Sequence, residues 1–410
     1  MSAIDAREAV TRAHREEWVR VIAVLARRFG DLDIAEEAAA EAFATAVERW
    51  PVDGVPPNPG AWLTTTANRK AIDRLRRENK RDDKQKEAQL VYDDDPPEPL
   101  GAVDDERLRL VFTCCHPALA PETRVALTLR MVGGLTVAEI ARAFLVQEAA
   151  MGQRITRAKA KIKAARIPYR VPSAEDLPAR VSGVLTVLYL VFNEGYLATG
   201  PDSDPVRQEL TAEAIRLTRL VRALLPADGE VAGLLALMLL IDARRTARVS
   251  SSGELVALAE QDRGAWDTLL IAEGHRLVRE RLASGAAPGR YQVLAAINAV
   301  HTSAGDVRDT DWTQVVALYD QLVRLDPSPI VALNRAIAVA ELDGPQVALA
   351  AVDRLRDRLA GYHVFHATRA ELLRRLGDSL GSREAYDRAV ELAGNSAEIA
   401  HLTRRRDQLG

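Results

Sequence analysis

Cysteine is nearly absent from this chain: two in 410 residues, Cys114 and Cys115, adjacent and followed by His116. That excludes a disulfide framework, and adjacent cysteines do not have the spacing of a zinc site. Long hydrophobic runs are missing too. The most apolar stretch, 231–241, is far too short to span a bilayer, and Asp242 ends it. The first seventeen residues are charged and lack the apolar segment of a secretory signal. The expectation is a cytoplasmic protein with no membrane partner. There is no Walker A loop, no nucleophile elbow and no zinc-spaced His/Cys set, and the seven histidines are scattered. These absences argue against an enzyme and imply no metal and no cofactor. Lysine stops at Lys163, and every later cation is arginine. The chain therefore reads as two halves with different compositions.

What is present is a pair of basic segments, 69–86 and 154–170, inside a chain whose net charge is only −3. The second closes a helix-turn-helix pattern. Thr136 and Glu139 form a capping box, which predicts a helix beginning at Thr136. Val137, Ile140, Ala141 and Phe144 follow at helical spacing, and a break over 145–147 leads to a second run. There Met151, Ile155, Ala158 and Ile162 make one apolar stripe. Gln153, Thr156, Arg157 and Ala160 lie on the opposite face, with Arg154, Lys159, Lys161, Lys163 and Arg166 around and beyond it. No acidic residue occurs over 149–170. An all-basic helix attracts a phosphate backbone, and Gln and Arg near its start can contact adenine or guanine edges in a major groove. A solvated basic face in an ordinary bundle has the same pattern.

Upstream, Val10, His14, Trp18, Val21, Leu25 and Phe29 mark an amphipathic helix over 6–28. Asp31 and Asp33 can cap a second helix, 34–50, which Pro51 is expected to stop. Its apolar face is made mostly of alanine: Ala35, Ala38, Ala39, Ala42, Phe43, Ala46 and Val47. After a Pro-Gly loop over 52–60, Trp62 opens a third helix that runs into Arg74, Arg76, Arg77 and Lys80. Thr64, Thr65, Thr66, Asn68 and Arg69 supply donors beside this basic run, as a single-stranded nucleic-acid track needs. Trp62 can equally be a core aromatic. An acidic, proline-rich stretch over 87–106 reads as a linker.

The segments DLDIAEEAAAEAFATAVERWP and NPGAWLTTTANRKAIDRLRRENKR resemble domain 2 of the extracytoplasmic-function (ECF) sigma factors of bacterial RNA polymerase. The helix-turn-helix resembles their domain 4. The resemblance implies an all-α fold and a partner, the polymerase core, met through the β′ clamp helices and the β subunit, with promoter DNA as second partner. It places Glu36, Glu37, Glu41 and Phe43 in the core-binding helix. Trp62, Asn68, Arg69, Arg74, Arg76 and Arg77 fall in the segment that takes the −10 element. The −35 contacts fall at Gly152, Gln153, Thr156 and Arg157, with Arg154 and Lys159 on phosphates. Two departures stand out: Ala40 replaces the family's usual Gln, and Asn68 lies one place early relative to Asp73.

Beyond residue 170 the chain continues for more than a domain's length. Pro168, Pro172 and Pro178 mark a hinge, and helical spacing then runs to the end. Matches recur at 34 residues, Arg335-Ala336 with Arg369-Ala370 and Asp353-Arg354 with Asp387-Arg388, the period of tetratricopeptide (TPR) helix pairs. LYLVFNEGY, EQDRGAWD, TDW and SPIVALNRA resemble the sigma-factor subgroup with a TPR-like extension. Asn193, Glu194, Tyr196, Asp262, Arg263, Trp266, Asn334 and Arg335, with Asp311 and Trp312, either line a groove for a small ligand or protein partner or make interhelical hydrogen bonds. The expected domains are 1–86 (domain 2), 87–105 (linker), 106–168 (domain 4), 169–180 (hinge) and 181–410 (TPR-like extension). The expected function is promoter-specific initiation of transcription, modulated by the extension. The alternative is a one-component helix-turn-helix regulator with a ligand-sensing helical domain.

Overall fold

The computed structural model describes residues 3–82, 106–143, 146–173, 175–196, 208–250, 255–394 and 396–409. The linker read at 87–105 lies outside them, as do Phe144 and Leu145. Among the described residues the elements are helices, with one isolated antiparallel bridge between Val249 and Leu255. The chain divides into two compact units, Met1–Val191 and Phe192–Gly410.

The first unit opens with α1 (Ala3–Phe29), α2 (Leu32–Asp53) and α3 (Pro59–Asp82), packed on one another. Asp31 caps α2, accepting from the amides of Asp33 and Ile34 at 2.9 and 3.3 Å. The alanine face is buried as its spacing predicts: Ala35, Ala38, Ala39, Ala42 and Ala46 are interior, so neighbouring helices come close without large side chains between them. Two helix ends differ from expectation. Pro51 does not stop α2 but sits inside its last turn, where only one hydrogen bond is lost. The stop is Gly54, at φ 85°, a conformation suited to glycine. The third helix starts before Trp62, because Asn58 accepts from the Ala61 amide at 3.0 Å and Pro59 is preset for a first turn.

The unit continues through α4 (Glu106–Cys114), α5 (Pro121–Met131), α6 (Val137–Ala143), α7 (Glu148–Ala164) and α8 (Leu177–Tyr196). The 169–180 segment is tied down rather than free. Tyr169 donates to the Glu106 carbonyl at 3.0 Å, and Arg180 to the Phe112 carbonyl at 2.6 Å. Pro178 falls in the first turn of α8. Cys114 and Cys115 are buried as small hydrophobes, and burial pushes the Cys115 thiol up to about 12.

The second unit contains α9 (Gln208–Leu224), α10 (Gly229–Asp242), the short α11 (Arg245–Arg248), α12 (Thr268–Ala283), α13 (Arg290–Ser303), α14 (Trp312–Leu325) and α15 (Pro329–Leu342). It ends with α16 (Pro345–Asp353), α17 (Arg356–Leu359), α18 (His363–Arg375), α19 (Ser379–Leu392) and α20 (Ser396–Asp407). The apolar run at 231–241 forms α10, buried on every side and packed against α9, α12 and α13. Asp228 caps it. Gly233 lets α13 approach, since a β-carbon there would stand 2.6 Å from the Gln292 amide. Two arginines 34 residues apart make comparable bridges: Arg335 pairs with Asp320 at 2.6 Å and Arg369 with Asp353 at 2.9 Å, although the aspartates are 33 apart, while Ala336 and Ala370 are both interior.

Candidate nucleic-acid interface

The helix-turn-helix is built by local chemistry. The Glu139 carboxylate accepts from the Thr136 amide at 2.8 Å while the Thr136 hydroxyl accepts from the Glu139 amide at 3.2 Å, a complete capping box that starts α6. The apolar stripe of α7 packs inward on α5 and α6: Met151, Ile155, Ala158 and Ile162 are buried. The face opposite this stripe presents Gln153, Thr156 and Arg157, all exposed. Arg157 donates to the Gln153 side chain at 3.1 Å, one helical turn away. The pair holds an amide and a guanidinium together on the same exposed strip, the two groups suited to base edges.

The cations at the far end of α7 are differently placed. Lys159 lies 2.8 Å from Asp33 and 2.5 Å from Glu36, with its side chain 10% exposed. Arg130 meets the same Glu36 at 2.5 Å, and Lys163 reaches Asp31 at 2.6 Å. Burial opposes ionisation of Glu36, but the Lys159 ammonium and the Arg130 guanidinium outweigh it, so its carboxyl titrates below the ordinary glutamate value. Asp31 is depressed in the same way: burial raises it, and Lys163 with the Ile34 and Asp33 amides overcomes that. Lys159 is raised, Glu36 and Asp33 outweighing its desolvation. The turn before α6 seals this contact. Gly134, at φ 65°, stands against Trp18, where an added β-carbon would come within 3.2 Å. Arg27 and Glu106 add a further bridge at 2.5 Å.

The other expected positions sort by burial. Glu37 pairs with Arg74 and Glu41 with Lys70, so the acidic strip of α2 faces the basic strip of α3. Phe43 is 6% exposed and packs between His14 and Trp18, which makes it part of the interior of α2 rather than its surface. Trp62 is half-buried, edge to face with Trp50 at 5.6 Å. Arg69, Arg76 and Arg77 are exposed on α3. The Asn68 carbonyl oxygen is buried without a partner among the described residues. Arg154 lies 3.5 Å from Glu122.

Family models match this arrangement: Sigma-70 region 2 over residues 15–81, Sigma-70 region 4 over 109–162, and a family of unknown function (DUF6596) over 180–282. An uncharacterized protein of Rhizobium meliloti (strain 1021) is 44% identical over 397 residues, covering 95% of this chain and 93% of its own. An ECF RNA polymerase sigma factor, SigK of Mycobacterium ulcerans (strain Agy99), is 30% identical over 143 residues, 33% of this chain and 74% of that protein. The chain belongs to the ECF sigma factors. In this sigma factor α1–α3 are region 2 and α4–α7 are region 4, and its role is in transcription initiation.

Among the described residues the sigma factor has no cluster of His, Cys, Asp or Glu arranged for a metal, and no helix long and apolar enough to cross a membrane. Sequence reasoning missed Asp31, Asp33, Arg130 and Lys163 as members of one charge cluster. Of the eight groove residues, Arg263, Trp266 and Asn334 lie around His301. Arg335 is engaged by Asp320, and Asp262 accepts from the Gly264 amide at 2.8 Å as a cap. Tyr196 lies under the Arg248 guanidinium at 3.3 Å, and Asn193 and Glu194 are half-buried. Arg263 covers the buried Trp266 ring at 4.7 Å. Asn334 lines a cavity of about 440 Å³ with Trp312, Tyr319 and His301.

Proposed function

We propose that this sigma factor brings RNA polymerase core to promoters that carry −10 and −35 elements. In this reading α2 docks on the β′ clamp helices, α3 takes unstacked −10 DNA, and α7 enters the −35 major groove. The observation that carries it is the exposed Gln153, Thr156 and Arg157 strip on a helix whose opposite stripe is fully buried. The strip sits in a chain that has both sigma regions in order. Glu36 and Lys159 belong to the core-facing and DNA-facing sets, and here they neutralise one another. Engagement of either partner through these residues therefore requires the α2–α7 contact to part. The helical extension modulates this activity, and the Rhizobium relative aligns with 95% of this chain, extension included.

The test is transcription in vitro with core polymerase. Arg157→Ala should lower output from a −35-dependent promoter by about ten- to a hundredfold, the loss of one good base contact, and leave core binding unchanged. Equal output from both proteins would remove α7 from the role assigned to it.

A further inference from the structure

Among the described residues the extension contains cations without counter-ions. Arg244, just after α10, is 8% exposed, and among those residues its side chain donates to the Asn298 amide oxygen at 3.3 Å. Its Nε is buried with no partner. Arg263 donates to the His301 and Ala304 carbonyls at 2.6 and 2.7 Å, and its Nη2 is buried and unpartnered. Arg248 donates through Nη1 to the Tyr196 carbonyl. Among the described residues none of these three guanidiniums makes an ion pair. Arg244 and Arg263 grip the same last turn of α13, through Asn298 and His301. Two more polar atoms, Trp266 Nε1 and Thr310 Oγ1, are buried there without a hydrogen bond.

Such a cluster is costly as it stands. A buried guanidinium is ordinarily paired with a carboxylate, phosphate or other anion, and each orphaned buried donor calls for a missing partner. Among the described residues Asp306 is bridged to Arg308 at 2.9 Å, and Asp309 and Glu398 attract Arg263 and Arg248 through space. Burial, with Arg244 and Arg263 close by, holds His301 down to about 4, so its ring is neutral. That ring, with Trp312, Tyr319, Asn334, Ile337 and the charged Arg308 and Glu341, lines the cavity of about 440 Å³, within the size range of small-molecule sites.

We infer that the extension binds a small organic anion in the cavity lined by His301, Trp312 and Arg308, held there by the positive field of Arg244 and Arg263, which stand behind His301. This deepens the reading of the extension as a regulator by naming the ligand class, but its evidence is the geometry of the second unit alone. Because the test reads binding and not transcription, the two can fail separately.

The experiment is thermal unfolding of the full chain in oxyanion-free buffer, titrated with sodium phosphate, sodium benzoate or phenyl phosphate against sodium chloride at equal ionic strength. The expected result is a saturable rise in Tm of about 5–10 °C at a hundredfold excess over Kd, with phenyl phosphate at least about tenfold tighter than inorganic phosphate because its ring is buried. Arg244→Met and Arg263→Met should each abolish the rise. In anion-free buffer Arg244→Met should be at least as stable as the parent, since it deletes an unpaired buried charge. If either variant fails to fold, the other and the tryptophan fluorescence titration of the parent carry the test. The inference is overturned if the three anions shift Tm no more than chloride, if the rise survives in both variants, or if phenyl phosphate binds no tighter than phosphate.

Discussion

Lys159→Met should loosen the contact between α2 and α7, and the geometry sets how much. Glu36 and Lys159 have side chains 12% and 10% exposed and lie 2.5 Å apart, while Arg130, 19% exposed, holds the other side of the same carboxylate. A stranded buried charge costs about 3–5 kcal/mol. Glu36 is not stranded when Lys159 is removed, because Arg130 remains, so the loss reduces to the Glu36 ion pair and the hydrogen bond to the half-exposed Asp33, together about 1.5–3 kcal/mol. Glu36→Gln should destabilise by a similar amount, since Lys159 keeps Asp33. The two changes touch one interaction, and a double-mutant cycle should return about 1–2 kcal/mol of coupling. The assay is urea unfolding of the first unit's transition at pH 7, repeated at low and high salt. Coupling should persist at high salt for this pair. It should vanish for Asp31 with Lys163, whose side chain is 71% exposed. A coupling below about 0.3 kcal/mol, the ordinary scatter of independent sites, would refute the interlock.

The same cluster sets a pH dependence. Glu36 and Asp31 have folded-state carboxyls below their ordinary values, so their contribution is present above the unfolded pKa near 4 and is lost as pH falls through the depressed values. Lys159 is raised, so its share is present below the unfolded pKa of about 10.4 and is lost only as pH rises past the higher folded value. Tm of the first unit should therefore hold at neutral pH and drop under acid, less steeply in Glu36→Gln; matching acid profiles for the two proteins would contradict this. In the extension, Gly233→Ala should destabilise by about 1–3 kcal/mol, because the new carbon meets the Gln292 backbone at 2.6 Å and the helices must separate; an unchanged Tm would show that α10 and α13 are not so close. Ending the chain at residue 170 deletes α8 and its Arg180 bond to Phe112, so it should lower the first unit's Tm relative to ending at 196. Equal values would mean that the hinge is free after all.

What could be read in advance was local. The capping box at Thr136 and Glu139, the stripe of Met151, Ile155, Ala158 and Ile162, and the alanine face of α2 depend on neighbours three or four residues apart, and each is present as expected. The 34-residue recurrence of arginine was visible, though not that Arg335 and Arg369 each bridge to an aspartate. Pro51 misled because a proline in a final turn loses little. The charge cluster was out of reach: Arg130 and Glu36 are 94 residues apart, and Lys159 and Asp33 are 126 apart. No periodicity links them, and Lys159 looks like any other cation on a basic helix. Phe43 was similarly ambiguous, since an aromatic on an alanine face serves a core as readily as a surface. The arginine cluster of the extension is invisible in sequence because its defining feature is a missing partner, which shows only once burial is known.

The most direct measurement is run-off transcription of genomic DNA by core polymerase with and without the full chain, mapping the 5′ ends. Added chain should create new start sites that share one pair of −10 and −35 sequences, and the chain alone should bind those promoters weakly or not at all. No new start sites, together with tight binding of duplex promoter DNA by the chain alone, would contradict the account and favour a regulator that acts without polymerase.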